Sequence, residues 1–319
     1  MLTVYKTLQE KLQEVSFDTL DSLEKGVWVK LTNPTTEEIQ QMSASANIPD
    51  YFFRFAIDED DCPRIILAKN CILAIIHVPI FYGTDRYETS PLSIILTPEL
   101  TVTISDDLIE ILPDNNTSNR FSFDTAKRTQ FFFQILYHAD TVFLKSIRHI
   151  RRRTDEIELH LRKSTNNQEV FQLLDLEKGL TYFTAALRGN VIVAETILRM
   201  RSDPQMRYLL QMHEEDEDVL EGVIIENKRA LELAQTYSEI LSNMMDAFSS
   251  VINNNLNHIM KFLASVTILL AIPTMVSSFW SMSLVVPWQG TAAGFWIVLL
   301  LALITSGAVG LLLRKKGMF

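Results

Sequence analysis

Between Lys261 and Arg314 the chain contains no Asp, Glu, Lys, Arg or His, an uncharged run of 52 residues from Phe262 to Leu313. A single bilayer crossing takes about 20 predominantly apolar residues. The run therefore fits two crossings and a short turn: a first span over 262–280, a loop over 281–290 and a second span over 291–313. The bland alternative is a buried helical hairpin in a soluble core, which has no need of so long a run free of charge. Trp280, Trp288 and Trp296 fall near the ends of the spans, where an amphipathic indole suits the lipid headgroup level. Lys261 precedes the first span, and a basic tail over 314–319, with Arg314, Lys315 and Lys316, follows the second. Positive flanks stay on the cytoplasmic side. Both termini are thus expected inside the cell membrane, with the loop outside.

The remainder reads as a cytoplasmic α+β domain over 1–203 and a stalk helix over 204–261. Net charge is −10, which argues against nucleic acid as a partner. The N-terminus lacks the apolar core of a signal peptide. Cys62 and Cys71, the only cysteines, then read as buried free thiols in a reducing compartment, although a disulfide between them stays open. Asn115 and Asn116 fit the glycosylation pattern, which is idle in the cytoplasm. Residues 1–25 are polar with a weak helical pattern. The segments "VWVKL", "YFFRFAI", "RIILA", "ILAIIHVPIF", "LSIIL" and "LTVTIS" read as strands. Between the first two, "NPTTEEIQQMSASANIP" reads as a helix capped by Asn33 or Thr35 and closed by Pro49. From about Thr125 to Arg201 the pattern is helical, with a hairpin turn expected near Gly189-Asn190. The run Arg148 to Arg153 is an anion patch or, more simply, a solvated face paired with Asp155, Glu156 and Glu158. A further helix is expected from about Arg207 to Met282. Leu220, Ile224, Leu231, Ala234 and Leu241 form its apolar seam, which Asn227 and Ser238 interrupt.

The first span carries a second stripe. Steps of three and four from Asn253 give Asn257, Met260, Ala264, Thr267, Ala271, Thr274, Ser278 and Ser281, nearly all small, hydroxylic or amide. Two readings are open. Small residues serve helix contacts in lipid, and Ser or Thr can bond back to their own helix. Alternatively, several copies turn this face inward and ring a pore with oxygens, which suit hard cations. With no carboxylate on the face, an ion would be held through neutral oxygens or its own waters, and magnesium gives up water reluctantly. One helix per chain cannot enclose a pore, so this second reading requires a homo-oligomer.

At these residues the chain resembles the CorA family of divalent-cation channels. "VWVKLTNPTTEEIQQM" is similar to the family's W-x-x-L-x-N-P-T-x-E-E segment. "FAIDEDDCPRIIL" is similar to its acidic stretch followed by Pro-Arg, here Pro63-Arg64. "NNNLNHIMKFLASVTILLAIPTM" is similar to the entrance of its first span, and "RKKGMF" to its basic tail. The resemblance implies a funnel-shaped homopentamer passing divalent cations, with magnesium as transported substrate and possible regulator. No other cofactor is implied, and membrane lipid surrounds the spans. It also implies a pore entrance at Asn257, apolar constrictions at Met260 and Leu263, a pore hydroxyl at Thr274 and a small outer position at Ser278. Ala271 stands where a gating Met is frequent.

The main departure is at the outer mouth. The family signature Tyr-Gly-Met-Asn is replaced by Trp280, Ser281, Met282 and Ser283, and the loop lacks the usual acidic residues. The family's cytoplasmic magnesium-sensing sites would correspond to Asp218 and Glu221 on the stalk, facing Asp58, Glu59, Asp60 and Asp61 of a neighbouring subunit. The usual stalk Asp aligns with Gly222. Three functions follow as expectations: a magnesium channel with hydrated permeation, a transporter of zinc or another divalent cation acting in either direction, or a non-conducting membrane scaffold. There is no phosphate loop, nucleophile elbow or zinc-protease motif, so an enzyme is not expected.

Overall fold

The computed structural model describes residues 1–8, 11–15, 26–57, 62–83, 85–105, 124–161, 167–282 and 292–318. The chain divides into two compact units, Met1–Asn243 and Met244–Phe319. The first is built on a sheet of seven strands: β1 (Leu2–Leu8), β2 (Lys11–Val15), β3 (Val27–Thr32), β4 (Arg64–Ala68), β5 (Cys71–Tyr82), β6 (Arg86–Leu96) and β7 (Leu100–Ser105). Their order across the sheet is β2-β1-β3-β7-β6-β5-β4, with β3 and β7 parallel and the other neighbours antiparallel.

Alternation along the strands divides the core in two. Ile72, Ala74, Ile76 and Val78 of β5 join Trp28, Ile94 and Leu96 on one face. That face is covered by α3 (Arg128–Leu161), α4 (Asn167–Arg199), α5 (Pro204–Leu210) and the start of α6 (Glu214–Trp280), through Phe131, Phe132, Val193, Leu209, Leu220 and Val223. Leu73, Ile75, Val29 and Val102 point the other way, against α1 (Thr36–Ala46) and α2 (Asp50–Ile57), which supply Met42, Phe52, Phe53 and Ala56. Each such large side chain, fully buried, contributes about 1.5–3 kcal/mol. Trp28 is fully buried at no polar cost, because its Nε1 donates to Thr103 Oγ1 at 2.9 Å while its ring stacks on Tyr5.

The expected cap of α1 is present. The Thr35 hydroxyl accepts from Glu38 N, and Glu38 returns a bond to Thr35 N, which holds its carboxyl below the usual range. Four other expectations need correction. First, Leu2–Leu8 and Lys11–Val15 pair as the antiparallel strands β1 and β2 in place of weak helix. "LTVYKTL" alternates, and its Val4 and Tyr5 face opposite sides of the sheet. Second, "YFFRFAI" is helix α2. Phe52, Phe53 and Ala56 are buried at helical spacing, and Pro49 opens this helix, since α1 has already ended at Asn47 in the left-handed region (φ 52°).

Third, α4 runs unbroken through Gly189-Asn190. A Cβ at Gly189 would lie 2.6 Å from Pro63 Cγ, so the glycine permits a close crossing and makes no turn. Asn190 completes the sheet there. β4 pairs with β5 only as far as Arg64↔Ile75, and among the described residues its pairing does not extend to His77. The Asn190 side chain takes that place: His77 N–H donates to its Oδ1 at 2.9 Å, and its Nδ2 donates to His77 C=O at 2.8 Å. Fourth, the helix expected from Arg207 is interrupted at Gln211, which is left-handed (φ 48°), and α6 begins at Glu214.

Within the basic run of α3, Arg153 pairs with Asp85 at 2.8 Å and with Glu156 at 2.8 Å, and Arg151 lies over the Tyr237 ring at 5.9 Å. Cys71 is buried and Cys62 exposed, and both are free thiols, so only Cys71 fits the expected buried state. Asn115 and Asn116 lie outside the described residues.

Candidate functional site

The second unit consists of α6 from Met244 onward and α7 (Ala292–Lys315). Among the described residues these two helices alone are long and apolar enough to cross a membrane. Little of their surface is buried against each other. The less exposed residues of α6 here are Ser265, Val266, Leu269, Ile272, Pro273, Val276 and Trp280, and those of α7 include Gly294, Ala302, Ser306, Gly310 and Leu313; Leu269 meets Ser306 and Gly310. Small residues set the approach, since a Cβ at Gly310 would lie 3.2 Å from Leu269 Cδ1.

Two hydroxyls fasten the contact. Ser265, fully buried, donates to its own Lys261 C=O at 2.8 Å and lies 3.1 Å from Met318 C=O. Ser306 Oγ lies 3.4 Å from Leu269 C=O. The second follows from the sequence. Pro273 has no N–H, so the carbonyl four residues before it loses its helical donor. That carbonyl belongs to Leu269, and the hydroxyl on α7 supplies the missing bond. A lipid-facing segment has no water to offer instead.

The stripe read from the sequence is on a different face. Asn253, Asn257, Met260, Leu263, Ala264, Thr267, Ala271, Thr274, Ser278, Ser281 and Met282 are all exposed, and none belongs to the surface that meets α7. From Thr267 to Met282 this face hollows into an open groove of about 620 Å³. Its floor is Ala271, Thr274 and Ser278; Leu270 stands on one side, and Met275 and Phe279 on the other. The hydroxyls bond back along the helix: Thr267 Oγ1 donates to Leu263 C=O at 2.8 Å, and Thr274 Oγ1 to Leu270 C=O at 3.0 Å. The protons of these two threonines are thus committed to the backbone, and there the groove meets oxygen lone pairs. The bland reading of back-bonding therefore holds for these threonines, while the small-residue contact of the hairpin uses other residues. Ser265, Ser306 and Gly310 were missed by sequence reasoning, although Pro273 signalled that Leu269 would need an outside donor.

The cytoplasmic acidic residues are less assembled. Asp218 and Glu221 are exposed near the start of α6. Glu214, Glu215, Asp216 and Glu217 occupy its first turn, where negative charge suits the helix dipole. Asp216 caps His213 N at 3.0 Å, and Glu217 pairs with Arg201 at 2.7 Å. No three acidic, His or Cys side chains come together among the described residues. Asp58, Glu59, Asp60, Asp61 and Ser283 lie outside them, as does the loop from 283 to 290. Gly222 has open space where a Cβ would be.

A mixed sheet flanked by helices, a long helix continuing into an apolar segment and a second apolar helix together define an integral membrane protein with a large extramembrane domain. Residues 24–315 match the family model described as CorA-like Mg2+ transporter protein, and the chain belongs to that family. It is 24% identical over 320 residues to the cobalt/magnesium transport protein CorA of Methanocaldococcus jannaschii, an alignment covering 97% of this chain and 95% of that protein. Among solved structures, the complete CorA magnesium transporter from the same organism matches with a TM-score of 0.79 at 21% identity, over 100% of this chain and 99% of that one. The full-length CmaX protein matches with a TM-score of 0.73 at 16% identity, over 98% and 97% of the two chains. The family places this chain among divalent-cation transporters and not among enzymes.

Proposed function

We propose that this protein is a magnesium channel of the cell membrane, in which copies arranged as a ring, most simply a pentamer, line a pore with the α6 face running from Asn253 to Ser278. Both termini are cytoplasmic in this reading, and the ion permeates with its waters. The observation that carries it is the exposed groove on α6, turned away from α7 and presenting lone pairs. Water bound to a cation points its hydrogens outward, so a hydrated cation offers donors to a wall of acceptors. An anion orients its waters the opposite way and meets no donor from Thr267 or Thr274. The wall thus selects by hydrogen-bond polarity without a carboxylate. Magnesium, which dehydrates reluctantly, suits such a surface. In this reading Asn257 receives the ion at the cytoplasmic entrance, Met260 and Leu263 narrow the path, and Ala271 leaves it wider than a Met would. Ser281, Met282 and Ser283 form the outer mouth. Cytoplasmic magnesium regulates through Asp218 and Glu221 with Asp58 to Asp61 of the next copy.

The test is flux in liposomes carrying the full-length protein and a magnesium-sensitive dye. Magnesium entry is expected for the wild type, and Thr274→Leu, which fills the groove floor with a branched apolar side chain, is expected to abolish it. Asn257→Ala is expected to weaken entry. Flux untouched by Thr274→Leu refutes the pore assignment. The second reading, transport of zinc or another divalent cation in either direction, is favoured by the lost Gly and Asn at the outer mouth. Zinc flux without magnesium flux selects it. A protein passing no divalent ion is the scaffold.

A further inference from the structure

Asp140, in the middle of α3, is 1% exposed, and Asn227 of α6 is 2% exposed. Asn227 Nδ2 donates to Asp140 Oδ1 at 2.7 Å. The remaining oxygen of each, Asp140 Oδ2 and Asn227 Oδ1, is also buried and has no hydrogen-bond partner among the described residues. With the carboxyl ionised, both leftover atoms are acceptors and neither can serve the other. Two such orphans on one bonded pair, beside a buried uncompensated charge, is an arrangement folded proteins avoid. One proton resolves all three problems. A protonated Oδ2 is a donor, Asn227 Oδ1 is an acceptor, and a carboxylic acid and a carboxamide close into a ring with two hydrogen bonds.

We propose that Asp140 and Asn227 form a buried proton-binding site between α3 and α6, the proton residing on Asp140 Oδ2 and donated to Asn227 Oδ1. Burial pushes the Asp140 carboxyl well above the ordinary range, opposed by the bond from Asn227 and assisted by Glu226. The charged neighbours do not supply a counter-ion. Glu226, next to Asn227 on α6, has the same sign and is paired with Arg229 at 3.4 Å. Lys228 of α6 is paired with Glu195 of α4 at 2.6 Å. On α3 itself, His138 is pushed down by its own burial and by Lys145, which favours its neutral form. Within the first unit the site adds to the existing Asn227–Asp140 bond a second one between α3 and α6, which exists only while the proton is held. It does not depend on which ion the protein carries.

The sign of the linkage is fixed. The folded chain holds a proton that the unfolded chain releases in the ordinary carboxyl range, so folding weakens as pH rises above about 4. It continues to weaken until the native carboxyl itself ionises. Asp140→Asn keeps a donor at the Oδ2 position and removes the titration. In full-length protein in detergent, the folding constant of Asp140→Asn relative to wild type is expected to grow about tenfold per pH unit above that point. Infrared spectroscopy at neutral pH is expected to show a protonated aspartate carbonyl band that shifts in heavy water and is missing from Asp140→Asn. A stability ratio that does not change with pH, or no protonated aspartate band at neutral pH, overturns the proposal. If Asp140→Asn does not fold, the band in wild type labelled with ¹³C-aspartate decides alone.

Discussion

Asn190 offers a stability test whose size can be worked from its contacts. Its amide is nine-tenths buried and bonds both His77 N–H and His77 C=O, at 2.9 and 2.8 Å, where β4 has run out. β6 lies along the other side of β5, where Pro91 sits opposite His77, so it cannot serve the His77 N–H and C=O that point at Asn190. Truncation to Ala removes both bonds and strands one backbone donor and one acceptor, each at about 1–3 kcal/mol. His77 is only half-buried, so water can reach part of the gap. The expected loss is about 2–3 kcal/mol. For a unit of this size that lowers the melting temperature by about 5–10 °C. Thermal unfolding of the full-length protein, followed by circular dichroism, reads it directly. Asn190→Asp should be at least as damaging, because the carboxylate still accepts from His77 N–H but faces His77 C=O with like polarity. A melting temperature for Asn190→Ala no lower than that of an exposed control on the same helix, such as Thr196→Ala, refutes the view that this side chain stands in for a strand.

Ser306→Ala should weaken the membrane hairpin by about 0.6–1.7 kcal/mol, measured by denaturation in mixed micelles. The same change should be nearly silent in a Pro273→Ala background, where the helix again supplies the N–H for Leu269 C=O. A maleimide should modify Cys62 and leave Cys71 untouched in the folded protein, because burial raises the Cys71 thiol to about 11 and shields it. Mass spectrometry of the labelled peptides decides.

The parts of the fold legible in the sequence were those set by one-dimensional signals. The 52 uncharged residues announced the spans, and Thr35 with Glu38 announced the start of α1. The α6 stripe, read from spacing alone, is exposed, and among the described residues α7 does not cover it. Where neighbours decide, the signals misled. "YFFRFAI" has the aromatic content of a strand, and only the helical spacing of its buried residues identifies α2. Gly189-Asn190 has the composition of a turn, but the glycine is there for Pro63 and the asparagine for His77, contacts more than 110 residues apart. The interruption at Asn227 was visible in the apolar seam, but its partner Asp140 belongs to a helix 87 residues earlier. The acidic cluster is illegible for another reason: its expected ligands would come from different copies of the chain.

The pairing of Leu269 with Ser306 limits how the membrane hairpin can move. A carbonyl freed by proline can be served only by a donor at the right height. Sliding α7 along α6 by one helical turn, about 5.4 Å, would carry that donor out of reach and leave the carbonyl facing hydrocarbon. Ser265, whose proton goes to Lys261 C=O, only approaches Met318 C=O at 3.1 Å and adds no second donor. The Leu269–Ser306 pairing alone still allows the helices to rock or rotate together and disfavours a screw-like shift of one past the other. If α6 lines a pore as proposed, its opening would move each hairpin as one body, with α7 travelling alongside the helix it braces.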